Sequence, residues 1–95
     1  MVEVRFAEGT ADDFERIYSF YSTIDPALGA RALLAIREQV RLLSTMPEVG
    51  RREAGAFRLL PIRFGQGGFQ VRYEFVPQLN LVLVLAIRHQ REQEF

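Results

Sequence analysis

The sequence predicts an α+β domain in which a helical hairpin packs on one face of a mainly antiparallel sheet. Three observations carry this prediction. The first half contains two stretches, 11–24 and 26–45, with apolar residues at helical spacing. The second half contains three strand-like segments separated by the turns "GQGG" and "PQLN". A short alternating segment precedes the helices, so the expected order is an N-terminal strand, the hairpin and a three-stranded antiparallel meander, all within one domain of residues 1–95.

The N-terminal "VEVRF" alternates between apolar and charged residues, as a half-buried strand does. Thr10 then precedes "ADDF", and Asp13 follows three residues later, a spacing similar to a capping box. The helix after it carries one apolar stripe, formed by Phe14, Ile17, Tyr18, Tyr21 and Ile24. We therefore expect Thr10 and Asp13 to cap the start of the first helix.

The dipeptide Asp25-Pro26 ends the first helix and supplies the N-cap and the first residue of the second. The second helix is expected to run from Pro26 to about Thr45, where "STMP" stops it. Its apolar face consists of Leu28, Ala32, Ile36, Val40 and Leu43. Because the junction leaves no room for a linker, the two helices should form a hairpin.

The remaining segments predict strands. "FRLLPIRF" contains Pro61, which restricts it to a sheet edge or a bulge. "FQVRYEFV" alternates, with Phe69, Val71, Tyr73 and Phe75 on one side. The last strand, "LVLVLAIR", is apolar on both faces. Either its side chains shield one another in a central strand, or a partner or substrate covers its far face.

A two-residue period assigns the side chains of this last strand to the two faces of the sheet. The residues expected to face the helices are Leu81, Leu83, Leu85 and Ile87. Those expected on the far face are Val82, Val84, Ala86 and Arg88.

Composition excludes several classes of protein. With 48% hydrophobic residues and eight Phe, the chain can build a core. It has no Cys, which excludes disulfides and thiolate chemistry. It lacks a run of about 18 apolar residues and an N-terminal signal peptide, so we expect a cytoplasmic protein without a membrane partner.

The charges are unevenly divided although the net charge is zero. Residues 1–48 carry five Arg against eight acids, a net charge of −3, and residues 49–95 carry seven Arg against four acids, a net charge of +3. All 12 basic residues are Arg, and each guanidinium can bind a phosphate through two parallel hydrogen bonds. The offset is either chance or the sign of a basic surface for phosphates or an acidic partner.

Five arginines lie on or at the ends of predicted strands: Arg58, Arg63, Arg72, Arg88 and Arg91. On one uncovered face they would form a phosphate-binding concavity; otherwise they are solvated strand edges or partners of Glu53 and Glu74. His89 is the only histidine, so there is no basis for a His-cluster metal site. Alone, it is either a general acid or base near neutral pH or an exposed side chain. We predict no metal and no cofactor.

Three motifs stand out along the chain: "MPEVGR" after the second helix, the Gly-aromatic turn in "FRLLPIRFGQGGFQVRYEF", and the ending "VLVLAIRHQREQEF". Together with the element order, they resemble the RelE/ParE superfamily of type II toxin–antitoxin toxins over the whole chain. The resemblance implies a RelE/ParE-like fold and a toxin neutralised by a cognate antitoxin, in a heterodimer or heterotetramer. It implies antitoxin contacts in apolar grooves, which we assign to Tyr18, Tyr21, Val82 and Val84.

The superfamily divides by target, according to the same resemblance. The RelE-like branch cuts mRNA in the ribosomal A site, and the ParE-like branch poisons DNA gyrase. Positions matching a metal-independent nuclease would be Arg63, Arg72, His89 and Arg91. Two departures argue against that activity: Gln70 stands where the nuclease branch has an Arg, and Phe95 lacks a phenol hydroxyl.

We therefore expect a ParE-like toxin that inhibits DNA gyrase through a basic sheet face and the terminal segment. The expected target contacts are Arg58, Arg72, Arg88, Arg91 and Phe95. The alternative is a RelE-like, ribosome-dependent mRNA interferase, which would be an endoribonuclease. A third interpretation is an inactive member that acts only as a binding module.

Overall fold

A five-stranded sheet with two helices on one face forms the protein, as described for residues 1–90 by a computed structural model. The strands are β1 (Glu3–Phe6), β2 (Arg51–Arg52), β3 (Phe57–Phe64), β4 (Gly67–Val76) and β5 (Leu81–His89). Their order is β1-β5-β4-β3-β2. The meander β3-β4-β5 is antiparallel, as is β2 with β3, whereas β1 joins β5 in parallel. The predicted α+β class is confirmed, with a mixed sheet.

The helices α1 (Thr10–Ile24) and α2 (Pro26–Arg41) form the predicted hairpin. Asp25 joins them, and its carboxylate accepts a hydrogen bond from the Ala27 N–H at 3.0 Å. A 3-10 turn, Leu42–Ser44, follows α2, close to the predicted end. The helices approach closely at Gly29, where an added Cβ would lie 2.9 Å from the Tyr18 carbonyl oxygen. Neither described helix is long and apolar enough to cross a membrane.

The start of α1 differs from the prediction. Gly9 is the N-cap, and no side chain caps the helix. The Thr10 hydroxyl donates to the Ala7 carbonyl at 2.7 Å. Because the helix begins one residue earlier than expected, Thr10 and Asp13 lie within its first turn, and the predicted capping box was wrong. The Asp13 carboxylate is buried and contacts β5 instead.

The core lies between the helices and the sheet. The α-helical face contributes the fully buried Ala32 and Ile36, and the turn after α2 contributes Leu43. The sheet contributes residues with no exposed surface: Phe69, Val71, Tyr73, Val82, Val84 and Ile87. Pro61 lies in the part of β3 that β2 does not cover, so its predicted edge position is confirmed.

A β-bulge interrupts the pairing of β4 with β5. Arg72 lies opposite Ala86 and Tyr73 lies opposite Val84, so Leu85 is an extra residue on β5. A bulge of this kind moves all later side chains of the strand to the other face.

The bulge overturns the predicted faces of β5. Val82 and Val84 precede it and Ile87 follows it, yet all three are fully buried in the core. The helix-facing assignment is right for Ile87 and wrong for Leu81, Leu83 and Leu85, which are half-buried. Val82 and Val84 therefore do not lie on the far face.

Candidate functional site

A pocket of about 670 Å³ opens between the C-terminal half of α1, the start of α2 and the β3–β4 turn. Its apolar wall is formed by Ile17, Phe20, Tyr21, Ile24, Leu28 and Phe64. We call it the aromatic pocket; Arg16, residues 65–67 and His89 complete its lining. Phe20 and Ile24 are 57% and 64% exposed, so large apolar groups face outward here. Exposed apolar walls of this kind are typical of contact sites for another molecule.

His89 closes one end of the aromatic pocket. Its imidazole centroid lies 5.6 Å from that of Phe69, 5.9 Å from that of Tyr21 and 6.3 Å from that of Phe20. It pairs with Phe69 across β4 and β5, on the helix side of the sheet. The imidazole is half-buried among aromatic rings, rather than exposed at a strand end.

Two side chains of α1 secure the C-terminal end of β5, where β1 no longer pairs with it. The Asp13 carboxylate accepts a hydrogen bond from the Ile87 N–H at 2.9 Å, and the Arg16 guanidinium donates to the Ile87 carbonyl at 3.1 Å. Asp13 and Arg16 also form an ion pair at 2.9 Å. The sequence did not predict these hydrogen bonds from α1 to the Ile87 backbone, because an Asp and an Arg three residues apart are also typical of a solvated helix face.

Arg88 contacts the same carboxylate from the other strand face. Its Nη1 lies 3.1 Å from Asp13 Oδ1, and its Cα pairs with Gln70 across β4. The Asp13 carboxylate thus forms ion pairs with two guanidinium groups, those of Arg16 and Arg88, so these three side chains carry a net charge of +1. The end of β5 is locally cationic.

The face of the sheet opposite the helices carries three of the predicted arginines: Arg63, Arg72 and Arg88. The pairing register gives this placement, since Arg72 lies opposite Leu59 on β3 and opposite Ala86 on β5. The Arg72 guanidinium lies over the Phe57 ring, 4.4 Å from its centroid. We call these three residues the arginine face. The pairing register places three of the five candidate arginines on this face, and the Arg88 guanidinium turns from it to Asp13 of α1.

Arg58 does not join them. Its Nη1 donates to the Glu48 carbonyl at 3.0 Å and to the Gly50 carbonyl at 2.8 Å. Its side chain is only 16% exposed. Gly50 is also held by Tyr73, whose hydroxyl accepts its N–H at 2.8 Å. The "MPEVGR" segment is thus held against the sheet by hydrogen bonds from the Arg58 side chain to two of its main-chain carbonyls.

The predicted antitoxin contacts separate into two groups. Tyr18 is 43% exposed on α1, and Tyr21, at 9%, lines the aromatic pocket. Val82 and Val84 are fully buried, because the bulge reverses the faces of β5, so they form no part of a surface. Arg91 and Phe95 lie outside the described residues 1–90.

The comparisons with known proteins agree with this architecture. The family model described as "ParE toxin of type II toxin-antitoxin system, parDE" matches residues 4–94. No curated protein matches the chain. Among solved structures, the chain is similar to the chromosomal ParDE system of P. aeruginosa, with 22% identity, a TM-score of 0.76, and coverage of 94% of this chain and 96% of that chain.

Two RelBE structures are also similar. The intact E. coli RelBE toxin–antitoxin complex has 9% identity, a TM-score of 0.70, and coverage of 97% of this chain and 100% of that chain. The RelBE2 complex from Mycobacterium tuberculosis has 24% identity, a TM-score of 0.64, and coverage of 94% and 98%. At these identities the likeness establishes the fold alone. The predicted superfamily is confirmed by the family match over residues 4–94. Because the family model spans nearly the whole chain, the protein belongs to the ParE toxin family of type II toxin–antitoxin systems.

Proposed function

We propose that this toxin arrests growth by binding DNA gyrase in the cytoplasm through its arginine face, without cutting nucleic acid. The match of residues 4–94 to the ParE family supports the choice of target class. The arginine face supports the mode of binding, because guanidinium groups on a rigid sheet suit phosphates or carboxylates of a large partner.

One geometric observation carries the argument against a nuclease. His89 pairs with Phe69 and lies on the helix side of the sheet, among aromatic rings. Arg63 and Arg72 lie on the opposite side. A general acid and the cations that stabilise the transition state must reach the same phosphate, within hydrogen-bond distance. Groups separated by the sheet cannot do so.

We further propose that the cognate antitoxin covers the aromatic pocket. The pocket is walled by exposed apolar side chains such as Phe20 and Ile24, next to the half-exposed Tyr18. An amphipathic segment that buries these groups would gain roughly 25 cal/mol per Å² of apolar surface removed from water. Tyr18 and Tyr21 remain proposed antitoxin contacts, whereas Val82 and Val84 do not.

Induction of the toxin in cells tests the proposed target. Plasmid topology would be followed by gel electrophoresis, and mRNA cleavage would be mapped by primer extension in the same samples. We expect plasmids to lose negative supercoils while mRNA stays intact. Co-expression of the protein encoded next to the toxin gene should restore growth.

Two variants sharpen the comparison. Arg72→Ala should reduce the loss of supercoils, whereas His89→Ala should retain most toxicity. Codon-phased mRNA cuts that disappear in His89→Ala would contradict the proposal and favour the mRNA interferase. Normal growth after induction would contradict both mechanisms and favour a binding module.

A further inference from the structure

Phe57 and Arg72 form a diagonal pair on the sheet face opposite the helices. In the register of β3 with β4, Arg72 lies opposite Leu59 and Phe57 lies opposite Glu74. Diagonal neighbours of this kind are about 7–8 Å apart, a distance that aromatic and long side chains can span. The guanidinium lies 4.4 Å from the centroid of the Phe57 ring, inside the range of about 6 Å for a cation–π contact. The ring therefore fixes where the guanidinium rests.

Glu74 is the competing neighbour of Arg72. It follows two residues later on β4, so the two side chains project from the same face of the sheet. Within residues 1–90, however, no ion pair joins Arg72 to Glu74. The sequence-based alternative, in which Glu74 pairs with a strand arginine, is therefore not observed for Arg72.

The strand β1 shows the same two residue types at the same spacing, in reverse order. Glu3 and Arg5 also lie two residues apart on one sheet face, and their side chains form an ion pair. Their register partners on β5 are Leu81 and Leu83, so neither lies opposite an aromatic ring. The difference between the two pairs follows the presence of Phe57 beside Arg72.

The ring also changes what Arg72 offers to a partner. A ring attracts the guanidinium without adding a negative charge, whereas a carboxylate would cancel its field. Arg72 is half-buried and its Nε is buried, while the ion-paired Arg5 side chain is 63% exposed. A side chain already held in one place loses less conformational freedom when it binds.

We propose that Phe57 is a positioning residue for Arg72, and that its ring keeps the guanidinium away from Glu74 so that the positive charge faces the toxin's target. This role rests on the proposed binding through the arginine face. Toxicity should therefore depend on a ring at position 57, and removal of the charge at position 74 should offset the loss of that ring.

Inhibition of purified gyrase by the purified full-length toxin tests this role. Phe57→Leu should raise the toxin concentration for half-inhibition about fivefold, because Arg72 then turns to Glu74. Phe57→Tyr keeps the ring and should inhibit like the native toxin. Adding Glu74→Gln to Phe57→Leu should recover most of the inhibition, whereas Glu74→Gln alone should change it little.

Recovery in the double variant separates positioning from a purely structural role, since loss of the Glu74 charge would not repair a damaged fold. Native-like inhibition by Phe57→Leu would overturn the proposal, as would a double variant that stays as weak as Phe57→Leu. If Phe57→Leu does not fold, as judged by urea denaturation, Phe57→Met replaces it in both comparisons, because it also lacks a ring.

Two further measurements distinguish failure of this role from failure of the proposed target. If the native toxin arrests growth without inhibiting gyrase, the target is wrong, and equal growth arrest by native toxin and Phe57→Leu would overturn the role of Phe57 as well. A double-mutant cycle of Arg72→Ala and Glu74→Gln, measured by urea denaturation of the free toxin, needs no target. The two positions should be coupled in Phe57→Leu and uncoupled in the native chain, and equal coupling in both would contradict the proposal.

Discussion

The Tyr73 hydroxyl accepts a hydrogen bond of 2.8 Å from the Gly50 N–H in the interior of the protein. Tyr73 has no exposed surface, and its ring lies so close that an added Cβ at Gly50 would be 2.7 Å from it. Arg58 binds the Gly50 carbonyl from the other direction. This pair of contacts fastens the loop after α2 to the centre of the sheet.

Replacing Gly50 with Ala should destabilise the fold. The new Cβ would lie 2.7 Å from the Tyr73 ring and 2.9 Å from the Leu59 carbonyl oxygen. Neither group is free to move within the close-packed core. We expect the free energy of unfolding to fall by about 1–3 kcal/mol, measured by urea denaturation. Gly9→Ala is the matched control, because nothing lies within 4 Å of its added Cβ. Equal stability of the two variants would contradict this account of the loop.

Stability should decline at high pH because of Tyr73. Burial raises the pKa of its hydroxyl above the ordinary value of 10.0, although the Gly50 hydrogen bond and the Arg58 charge act in the opposite direction. Between about pH 10 and the raised pKa, the unfolded chain has lost this proton and the folded chain keeps it. The contribution of the protonated Tyr73 hydroxyl to the free energy of unfolding is therefore complete below about pH 10, and it is lost as pH rises through the pKa of the folded state.

The variant Tyr73→Phe tests both the hydrogen bond of the Tyr73 hydroxyl and its titration. It leaves the buried Gly50 N–H without its acceptor, so we expect a loss of about 1–3 kcal/mol near neutral pH. It should also flatten the alkaline decline, because the titrating group is gone. Urea denaturation at a series of alkaline pH values measures both, and an unchanged alkaline slope would exclude Tyr73 as its source.

The buried carboxylate of Asp13 should fix the end of β5. Asp13→Ala removes the acceptor of the Ile87 N–H, and we expect a loss of about 1–3 kcal/mol. The ion pairs with Arg16 and Arg88 add little to this, since both arginine side chains are more than a third exposed. Hydrogen exchange at the Ile87 amide should accelerate. Asp12→Ala, on the exposed side of the same turn, should change stability by less than about 0.5 kcal/mol.

Substitutions on the arginine face should reduce toxicity without reducing the binding of the antitoxin. Arg72→Ala and Arg63→Ala remove cations from the sheet face opposite the helices, so growth arrest should weaken while antitoxin binding to the helix side is retained. Arg31→Ala is the control, since it removes an exposed cation from α2. Growth assays with a pull-down of the antitoxin measure both properties. Undiminished toxicity in both sheet variants would show that the target binds elsewhere.

Periodicity and turn residues were sufficient to predict the order of all the helices and strands except the two-residue strand β2 (Arg51–Arg52), because these signals are local. The helical stripes, the Asp25-Pro26 junction and the alternation of Phe69, Val71 and Tyr73 all reflect spacing within one segment. The meander followed because short turns join antiparallel strands.

The errors arose where partners distant in sequence decide the structure. The extra residue Leu85 breaks the alternation of β5, and nothing in "LVLVLAI" distinguishes a bulged apolar strand from a regular one. The parallel pairing of β1 and the turn of Asp13 toward Ile87 likewise depend on contacts more than 70 residues apart. The alternative nuclease interpretation grouped Arg63, Arg72 and His89 with Arg91, and the register puts the first two on the sheet face opposite His89.

The most direct test of the proposed function is DNA supercoiling by purified gyrase in the presence of purified toxin. We predict that native toxin inhibits the reaction, that Arg72→Ala inhibits it less, and that His89→Ala inhibits it like the native protein. Cleavage of mRNA by the toxin on ribosomes, with unimpaired supercoiling by gyrase, would contradict the account.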